Sequence, residues 1–409
     1  MKQAWWTVCL FWMIYFLNQA DRQVIFSVMP LVKAELALDD ALLGLFGSVF
    51  FWIYGILVPV AGVLGDSWSR KKIIVTALLV WSAATFSSGF AIGFLMLVSL
   101  RGLTAFGEAF YYPSANSILS DLHGTRTRAT AMAIHQTSVY FGTVVSGAAA
   151  GWIGQTYGWR PAFYFFGGIG LVVAVLALTT LQDPRRGAAD QARVESIPLG
   201  ERIREMLACP TGLLLTAAFL GFILVNAAYL TWTPTLLYRK FGMSLAEAGF
   251  HATFWHHIGA AVGVLAGGKL TDHLALKDRI WRPRIQVVGL VLGAPFIYLL
   301  GMASERNVVF AALTLFGVFR GLYDSNLFTS LYEVIRPASR ATATGLMLAV
   351  AFLGGGFAPV IIGWLGKRFT LGTALASTSA CYLFAAAAIG LATVVYFRND
   401  ARRAMGSAE

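Results

Sequence analysis

Apolar residues along this chain come in long stretches, and most polar residues gather between them. Each stretch has roughly the 20 residues that an α-helix needs to cross the hydrocarbon core of a bilayer. They run approximately over 5–32, 42–65, 73–92, 94–120, 128–154, 161–182, 211–239, 246–271, 285–303, 307–332, 340–366 and 370–397. The pattern predicts an all-α membrane protein with twelve transmembrane helices. The longest polar interval divides them six and six. It defines an N-terminal six-helix bundle over 1–182, a cytoplasmic linker over 183–210, a C-terminal six-helix bundle over 211–397 and a cytoplasmic tail over 398–409. Within the linker, Leu199 to Cys209 reads either as a short amphipathic helix at the membrane interface or as a solvated connector.

Composition agrees with the periodicity. With 57% hydrophobic and 12% charged residues, the chain holds more apolar surface than a soluble core can hide. The net charge of +11 raises the question of nucleic acid, but the basic residues sit in short loops at membrane edges and form no compact patch. They report topology instead. Of 31 Lys and Arg residues, 21 fall on the side of the termini, 7 on the other side and 3 within spans, so both termini are expected in the cytoplasm of a cell whose plasma, or inner, membrane holds the chain. The first stretch runs through Asp21 and Arg22 to Leu31 with no small-residue cleavage site, and is expected to stay in the mature protein. Cys9, Cys209 and Cys381 are too scattered for a disulfide framework or a metal site. No cofactor is expected, and the chain is expected to act as a monomer whose partners are the bilayer and a small-molecule or lipid substrate.

Four ionisable residues break the apolar pattern inside spans: Asp21 and Arg22 in the first, Arg101 and Glu108 in the fourth. A charge at the centre of a spanning helix costs about 2.5–3.5 kcal/mol on insertion scales, so such residues usually line a polar cavity. Asn18, Asp21 and Arg22 share one helix face by their spacing of three and four. Arg101 and Glu108 are two turns apart, and Tyr112 and Asn116 extend their stripe in steps of four.

The halves resemble each other. Asp121 followed by Arg128-Ala129-Thr130-Ala131 recurs as Glu333 followed by Arg340-Ala341-Thr342-Ala343, at an offset of 212. Gly62, Leu64 and Asp66 recur as Gly268, Leu270 and Asp272, at an offset of 206. Parallel repeats of this kind are a transporter design with the substrate site at mid-membrane. The same 212-residue offset sets Arg320 against Glu108 and Asp324 against Tyr112, so the halves differ in chemistry; Arg320 and Asp324 read as a packing pair or as substrate contacts, beside Tyr323. Gly147 and Gly151 in the fifth span, with Gly259, Gly263 and Gly267 in the eighth, recur every four residues and predict that these two helices pack closely. His135, His251, His256 and His257 read as hydrogen-bonded structural residues or, as groups that titrate near neutral pH, as modulators of gating. Tyr229, Trp232 and Pro234 mark an irregular stretch of the seventh span, or an interfacial anchor at Trp232.

Residues 62–72, Gly-Val-Leu-Gly-Asp-Ser-Trp-Ser-Arg-Lys-Lys, resemble the signature loop between the second and third helices of the major facilitator superfamily, with Ser69 where that family often has glycine. Leu17 to Arg22, Arg101 to Ala109, Tyr157 to Phe163 and Met243 to Gly249 are similar to Spinster-like proteins and, less closely, to organic anion:cation symporters. The resemblance implies the major facilitator fold, two pseudo-symmetric six-helix bundles with helices 1, 4, 7 and 10 around a central pathway. It also implies a secondary carrier working by alternating access. In that setting Asp21 and Glu108 are expected to be the protonatable pair, because protonation of a buried carboxylate responds to hydration and to neighbouring arginines. Arg22 and Arg101, with Asn18, Tyr112, Asn116, Arg320, Tyr323 and Asp324, are the expected substrate contacts. Gly62, Asp66, Arg70, Lys71, Asp121, Arg128, Asp272, Glu333 and Arg340 are the expected cytoplasmic gate. The proton is the expected coupling ion, with Na⁺ coupling or exchange as alternatives, and the substrate is expected to be a lysophospholipid-like lipid or an organic acid. An intramembrane enzyme is the competing class, but the chain has no His-Glu-x-x-His, no Gly-x-Ser-x-Gly and no clustered metal ligands.

Overall fold

The computed structural model describes residues 2–124, 127–184 and 198–406, without the side chains of residues 2, 62, 63, 65–67, 129, 405 and 406. The described residues form helices and no strand. Twelve membrane-length segments appear in order: Lys2–Glu35, Asp40–Ser67, Arg70–Ser88, Phe94–Leu122, Arg128–Tyr157, Trp159–Thr180, Pro210–Phe241, Leu245–Ala275, Trp281–Met302, Arg306–Tyr332, Pro337–Arg368 and Leu371–Ala404. Eight are apolar enough to cross a membrane by composition alone. The other four, the first, third, fifth and eighth, carry more polar side chains, such as Asn18, Gln19, Asp21, Arg22 and Gln23 in the first.

Local chemistry sets several boundaries. The Asp39 carboxylate accepts from the Leu42 amide at 2.8 Å and caps the second span, and the Thr370 hydroxyl caps the twelfth through Thr373. Such caps satisfy amide donors that the first turn leaves without partners. Gly242, at φ +63°, turns the chain between the seventh and eighth spans in the left-handed region that glycine tolerates best.

The chain divides into two compact units. One comprises Met1–Arg193 with Thr233–Thr253, and the other Val194–Trp232 with Phe254–Glu409. The first unit therefore includes the end of the seventh span and the start of the eighth. Its core is built from Leu10, Phe11 and Ile14, Leu78 and Trp81, Tyr111 and Ile118, and Val173 and Ala177, contributed by the first, third, fourth and sixth spans. In the second unit, Phe222, Phe316, Tyr323 and Tyr382 stack at its centre. Large apolar side chains such as Phe165, Ile169 and Val172 point outward along the sixth span, as lipid-facing residues do.

Glycine packing follows the expected helix pair but different contacts. The fifth span meets the eighth where Gly147 faces Gly249 and Gly151 faces Leu245, and a Cβ at either glycine would overlap main-chain atoms. Gly259, Gly263 and Gly267 lie against Thr314, Val318 and Leu322 of the tenth span instead. The eighth helix thus presents small residues to two neighbours, one for each half of its length. The seventh span stays helical through Pro234, and Trp232 is buried with its indole N–H donated to the Pro359 carbonyl at 2.9 Å. Trp232 is accordingly a core residue and not an interfacial anchor.

Candidate functional site

The first span turns Asp21 and Arg22 toward the fourth span, whose Arg101 and Glu108 face back. Arg22 Nε donates to Glu108 Oε2 at 2.5 Å, and Glu108 is fully buried. Arg101 sends its donors to main-chain carbonyls of Phe46, Asp21 and Arg22 at 3.3, 3.1 and 3.0 Å. Both guanidinium groups lie over the Phe50 ring, Arg22 at 4.8 Å and Arg101 at 4.6 Å from its centre, and Arg22 also covers Tyr54 at 4.7 Å. Stacking of this kind holds a cation in an apolar setting where water is scarce. Asp21 is different. It is buried, neither carboxyl oxygen has a hydrogen-bond partner, and with Arg101, Thr85, Ser88 and Thr104 it lines a cavity of about 10 Å³. That volume holds about one water.

The remaining first-unit candidates lie around this cluster. Asn18 is buried, with Oδ1 accepting from Gln19 at 3.2 Å and Nδ2 unbonded. Helix 94–109 is interrupted at Phe110 and resumes at Tyr111, so the four-residue stripe does not run straight from Glu108. Tyr112 is exposed and stacks beside Tyr15 at 5.5 Å, while Asn116 is half-buried. His135 belongs to the same aromatic group: it stacks on Tyr15 at 4.8 Å and bonds the Tyr111 hydroxyl at 2.9 Å.

In the second unit, Arg320 binds Asp324 within its own helix at 3.2 Å. It also reaches the side-chain Oδ1 of Asn226 and His256 Nε2, each at 2.8 Å, and lies over Phe222. Tyr323, buried on the same helix, stacks on the same Phe222 ring at 4.8 Å. Asn226 and His256 come from the seventh and eighth spans and carry no spacing signal that ties them to the tenth.

The expected gate residues form ion networks at the arginine-rich ends of the spans. The side chains of Gly62 and Asp66 lie outside the described residues. Buried Arg70 pairs with Asp121, binds Asp183 and Ser117 at 3.0 Å each, and donates to the Pro184 carbonyl at 2.6 Å. Lys71 adds its main-chain N–H to Asp183 at 3.4 Å. Burial raises the Asp183 pKa, but the Ser69 hydroxyl and the Arg70 guanidinium outweigh it and hold the carboxyl below its ordinary value. Arg128 Nη2 donates to the Ser120 carbonyl at 2.9 Å, and Arg340 Nη2 to the Tyr332 carbonyl at 2.8 Å. Arg282 approaches Glu333 to 3.2 Å and Asp272 to 3.7 Å, and Arg279 reaches Glu333 at 3.0 Å. Each of the contacts Arg70–Asp121 and Arg128–Ser120 recurs 212 residues later, as Arg282–Glu333 and Arg340–Tyr332. The repeat is therefore written in interactions as well as in letters.

Two further ion clusters carried no motif. Asp40 binds Arg239 through both oxygens at 2.8 and 2.9 Å and takes Lys33 at 2.6 Å, all inside the first unit. The segment Leu199–Leu207 is helical, and its Glu205 binds Arg336 and Ser339 while Glu201 binds Arg336. Burial raises the Glu205 pKa, yet the Arg336 and Ser339 bonds more than offset it and leave the group below its ordinary value. Among the described residues, no group of three or more His, Cys, Asp or Glu is placed to hold a metal ion.

A family model described as Major Facilitator Superfamily matches residues 11–359. The chain is 26% identical over 345 residues to the probable galactarate/D-glucarate transporter GudP of Escherichia coli (strain K12), covering 76% of each protein. It is 27% identical over 389 residues to protein spinster homolog 1 of Xenopus tropicalis, covering 90% of this chain and 74% of the relative. It is also 27% identical to the sphingosine-1-phosphate transporter SPNS2 of Mus musculus, over 85% of this chain and 67% of the relative. The crystal structure of a bacterial homolog of the human lysosomal transporter Spinster, in an inward-facing and occupied conformation, superposes with a TM-score of 0.83 at 23% identity, covering 97% of both chains. That likeness establishes the fold.

Proposed function

The chain belongs to the Major Facilitator Superfamily, as a secondary transporter and not an enzyme, and from that premise we propose that it couples an anionic substrate to protons through Asp21 and Glu108. The observation that carries this reading is the contrast between two neighbouring carboxyls. Glu108 is held by Arg22, whereas buried Asp21 has no donor to either oxygen. An uncompensated carboxylate in an apolar interior is strongly unfavourable. Asp21 is accordingly proposed to hold a proton in this arrangement, and the one-water cavity at its side chain to be the route by which the proton exchanges. Glu108 is proposed to take a second proton when an anionic substrate group competes for Arg22. Release of the substrate then returns Arg22 to Glu108 and expels that proton.

The substrate class follows from the same side chains. Arg22 and Arg101 provide forked donors suited to a carboxylate or phosphate, and Phe50, Tyr54, Tyr15 and Tyr112 surround them with aromatic surface. An anionic head on an apolar body, a lysophospholipid-like amphipath, fits that combination best. An organic acid is the second reading, favoured by the likeness to a galactarate/D-glucarate transporter. The carrier is proposed to work by alternating access as a monomer in the plasma (inner) membrane, with both termini cytoplasmic. Protons, and not Na⁺, are the proposed coupling ion.

The test is uptake into proteoliposomes with and without an imposed pH gradient, offering a lysophospholipid and a sugar diacid in parallel. Glu108→Gln should abolish gradient-driven uptake and leave substrate exchange measurable. Unchanged proton dependence in that variant removes the assignment.

A further inference from the structure

Near the ends of the eighth, ninth, tenth and eleventh spans, the second unit carries an open cavity of about 560 Å³. Its size lies within the roughly 300–1,000 Å³ range of small-ligand sites. Five charged side chains line it: Arg279, Arg282, Arg340, Asp272 and Glu333. Three cations against two anions leave one positive charge in excess. Glu333 is shared between Arg279 at 3.0 Å and Arg282 at 3.2 Å, and Asp272 is 3.7 Å from Arg282. Arg340 meets no carboxylate among the described residues. It donates Nη2 to the Tyr332 carbonyl, lies 5.4 Å from the centre of the Tyr332 ring, and keeps a buried Nε without any hydrogen-bond acceptor. The charge of Arg340 is thus partly desolvated with no carboxylate to balance it, and an oxyanion at the guanidinium supplies that balance.

The rim of the cavity narrows the choice of anion. Leu276 lines it and is 86% exposed, so an apolar side chain adjoins the arginines at the ends of the spans. Basic pockets between helices at that depth hold the headgroups of acidic lipids. The cavity also lies within one unit and shares no residue with the Asp21–Glu108 cluster, so it is separate from the proposed transport site. We propose that this cavity binds a phosphate-bearing anion, the headgroup of an acidic phospholipid, with Arg340 and Arg282 on the phosphate oxygens and Leu276 against the first acyl carbons. Placing the lipid in the inner leaflet rests on the proposed cytoplasmic orientation of this end; the anion site itself does not.

The full-length purified protein in detergent is titrated with short-chain phosphatidylglycerol, short-chain phosphatidylcholine and inorganic phosphate, with melting temperature as the readout. Phosphatidylglycerol should stabilise and phosphatidylcholine should not. Arg340→Gln and Arg282→Gln should each weaken the phosphatidylglycerol response at least fivefold, whereas Arg398→Gln, which breaks a surface pair with Asp278 outside the cavity, should leave it unchanged. Leu276→Glu sets a negative charge at an exposed rim position with little risk to folding and should weaken the response in the same way, which keeps the test decisive if an arginine variant does not fold. Stabilisation by inorganic phosphate equal to that by the lipid, lost in the same variants, supports the anion site with a soluble source and overturns the lipid. No stabilisation by either anion, or equal stabilisation of wild type and Leu276→Glu, overturns the proposal.

Discussion

The two units carry charges at matching sequence positions in their fourth helices, and they neutralise them in different ways. In the first unit the partners come from different helices: Glu108 of the fourth span depends on Arg22 of the first, and Asp21 beside it forms no ion pair. In the second unit the residue matching Glu108 is Arg320, and its carboxylate, Asp324, sits one turn away on the same helix. A pair within one helix moves as a body and keeps its contact whatever its neighbours do. A pair between helices is broken or made by helix movement, so its charge state can report that movement. The difference suits the first unit to the proposed coupling chemistry and the second to a fixed polar contact, on one repeated scaffold.

Removing a cation from each unit should therefore give unequal results. Arg22→Met strands a fully buried carboxylate, and breaking a buried pair on one side costs about 3–5 kcal/mol. A fall in melting temperature on the order of 10 °C is expected, and the double variant Arg22→Met/Glu108→Leu should recover most of it, because no charge is then left alone. Thermal unfolding of the purified single and double variants measures both. A single variant as stable as wild type would mean that Glu108 does not rely on Arg22, and the contrast between the units would collapse.

The matching change in the second unit is Asp324→Asn. Arg320 keeps Asn226 and His256 as partners, and the side chains of the pair are 18% and 26% exposed, so the loss should be about 0.5–1 kcal/mol, between that of i,i+4 helix pairs and the upper end for partly exposed pairs. Proton-driven uptake should keep its pH profile in this variant even if its rate falls. A shifted profile would bring Asp324 into the coupling machinery and remove the asymmetry.

How far the sequence could be read depended on whether partners lie in a periodic relation. Asn18, Asp21 and Arg22 announce a shared face through their spacing, and the 212-residue offset pairs Arg128 with Arg340 before any contact is known. The fold, the family and the convergence of Asp21, Arg22, Arg101 and Glu108 were legible in this way. The role of Arg101 was not: it serves main-chain carbonyls, and nothing in a residue list marks the backbone as a partner. Asp183 reads as part of a polar linker because its partner, Arg70, is 113 residues away, and Asp40 and Arg239 are 199 apart with no motif at either end. The break at Phe110 did have a mark, Pro113, which has no N–H to offer the Ala109 carbonyl four residues back, but a reading by apolar stretches passes over it. Gly249 was missed as the contact of Gly147 for a related reason, because one close approach needs one small residue and leaves no repeat.

Where the units should agree is in the ion clamps outside the membrane, and this gives the smallest effect. Asp183 on Arg70 and Glu205 on Arg336 both have carboxyls held below their ordinary values. A carboxylate with a lower pKa in the folded state stabilises the fold fully above its unfolded value, near pH 4, and loses that contribution as pH falls through the folded value. Asp183→Asn and Glu205→Gln should therefore each lower the melting temperature at pH 7 by a few degrees, corresponding to about 1 kcal/mol for partly exposed pairs. The gap between wild type and each variant should hold from pH 7 down to about pH 5 and close below about pH 4. Melting curves of the three proteins across that range check the sign. A gap that widens on acidification in either variant would reverse the assigned direction, and a gap confined to one variant would extend the asymmetry of the membrane clusters to the clamps. Similar gaps in both would confine the divergence of the halves to the buried charges, where the proposed proton chemistry resides.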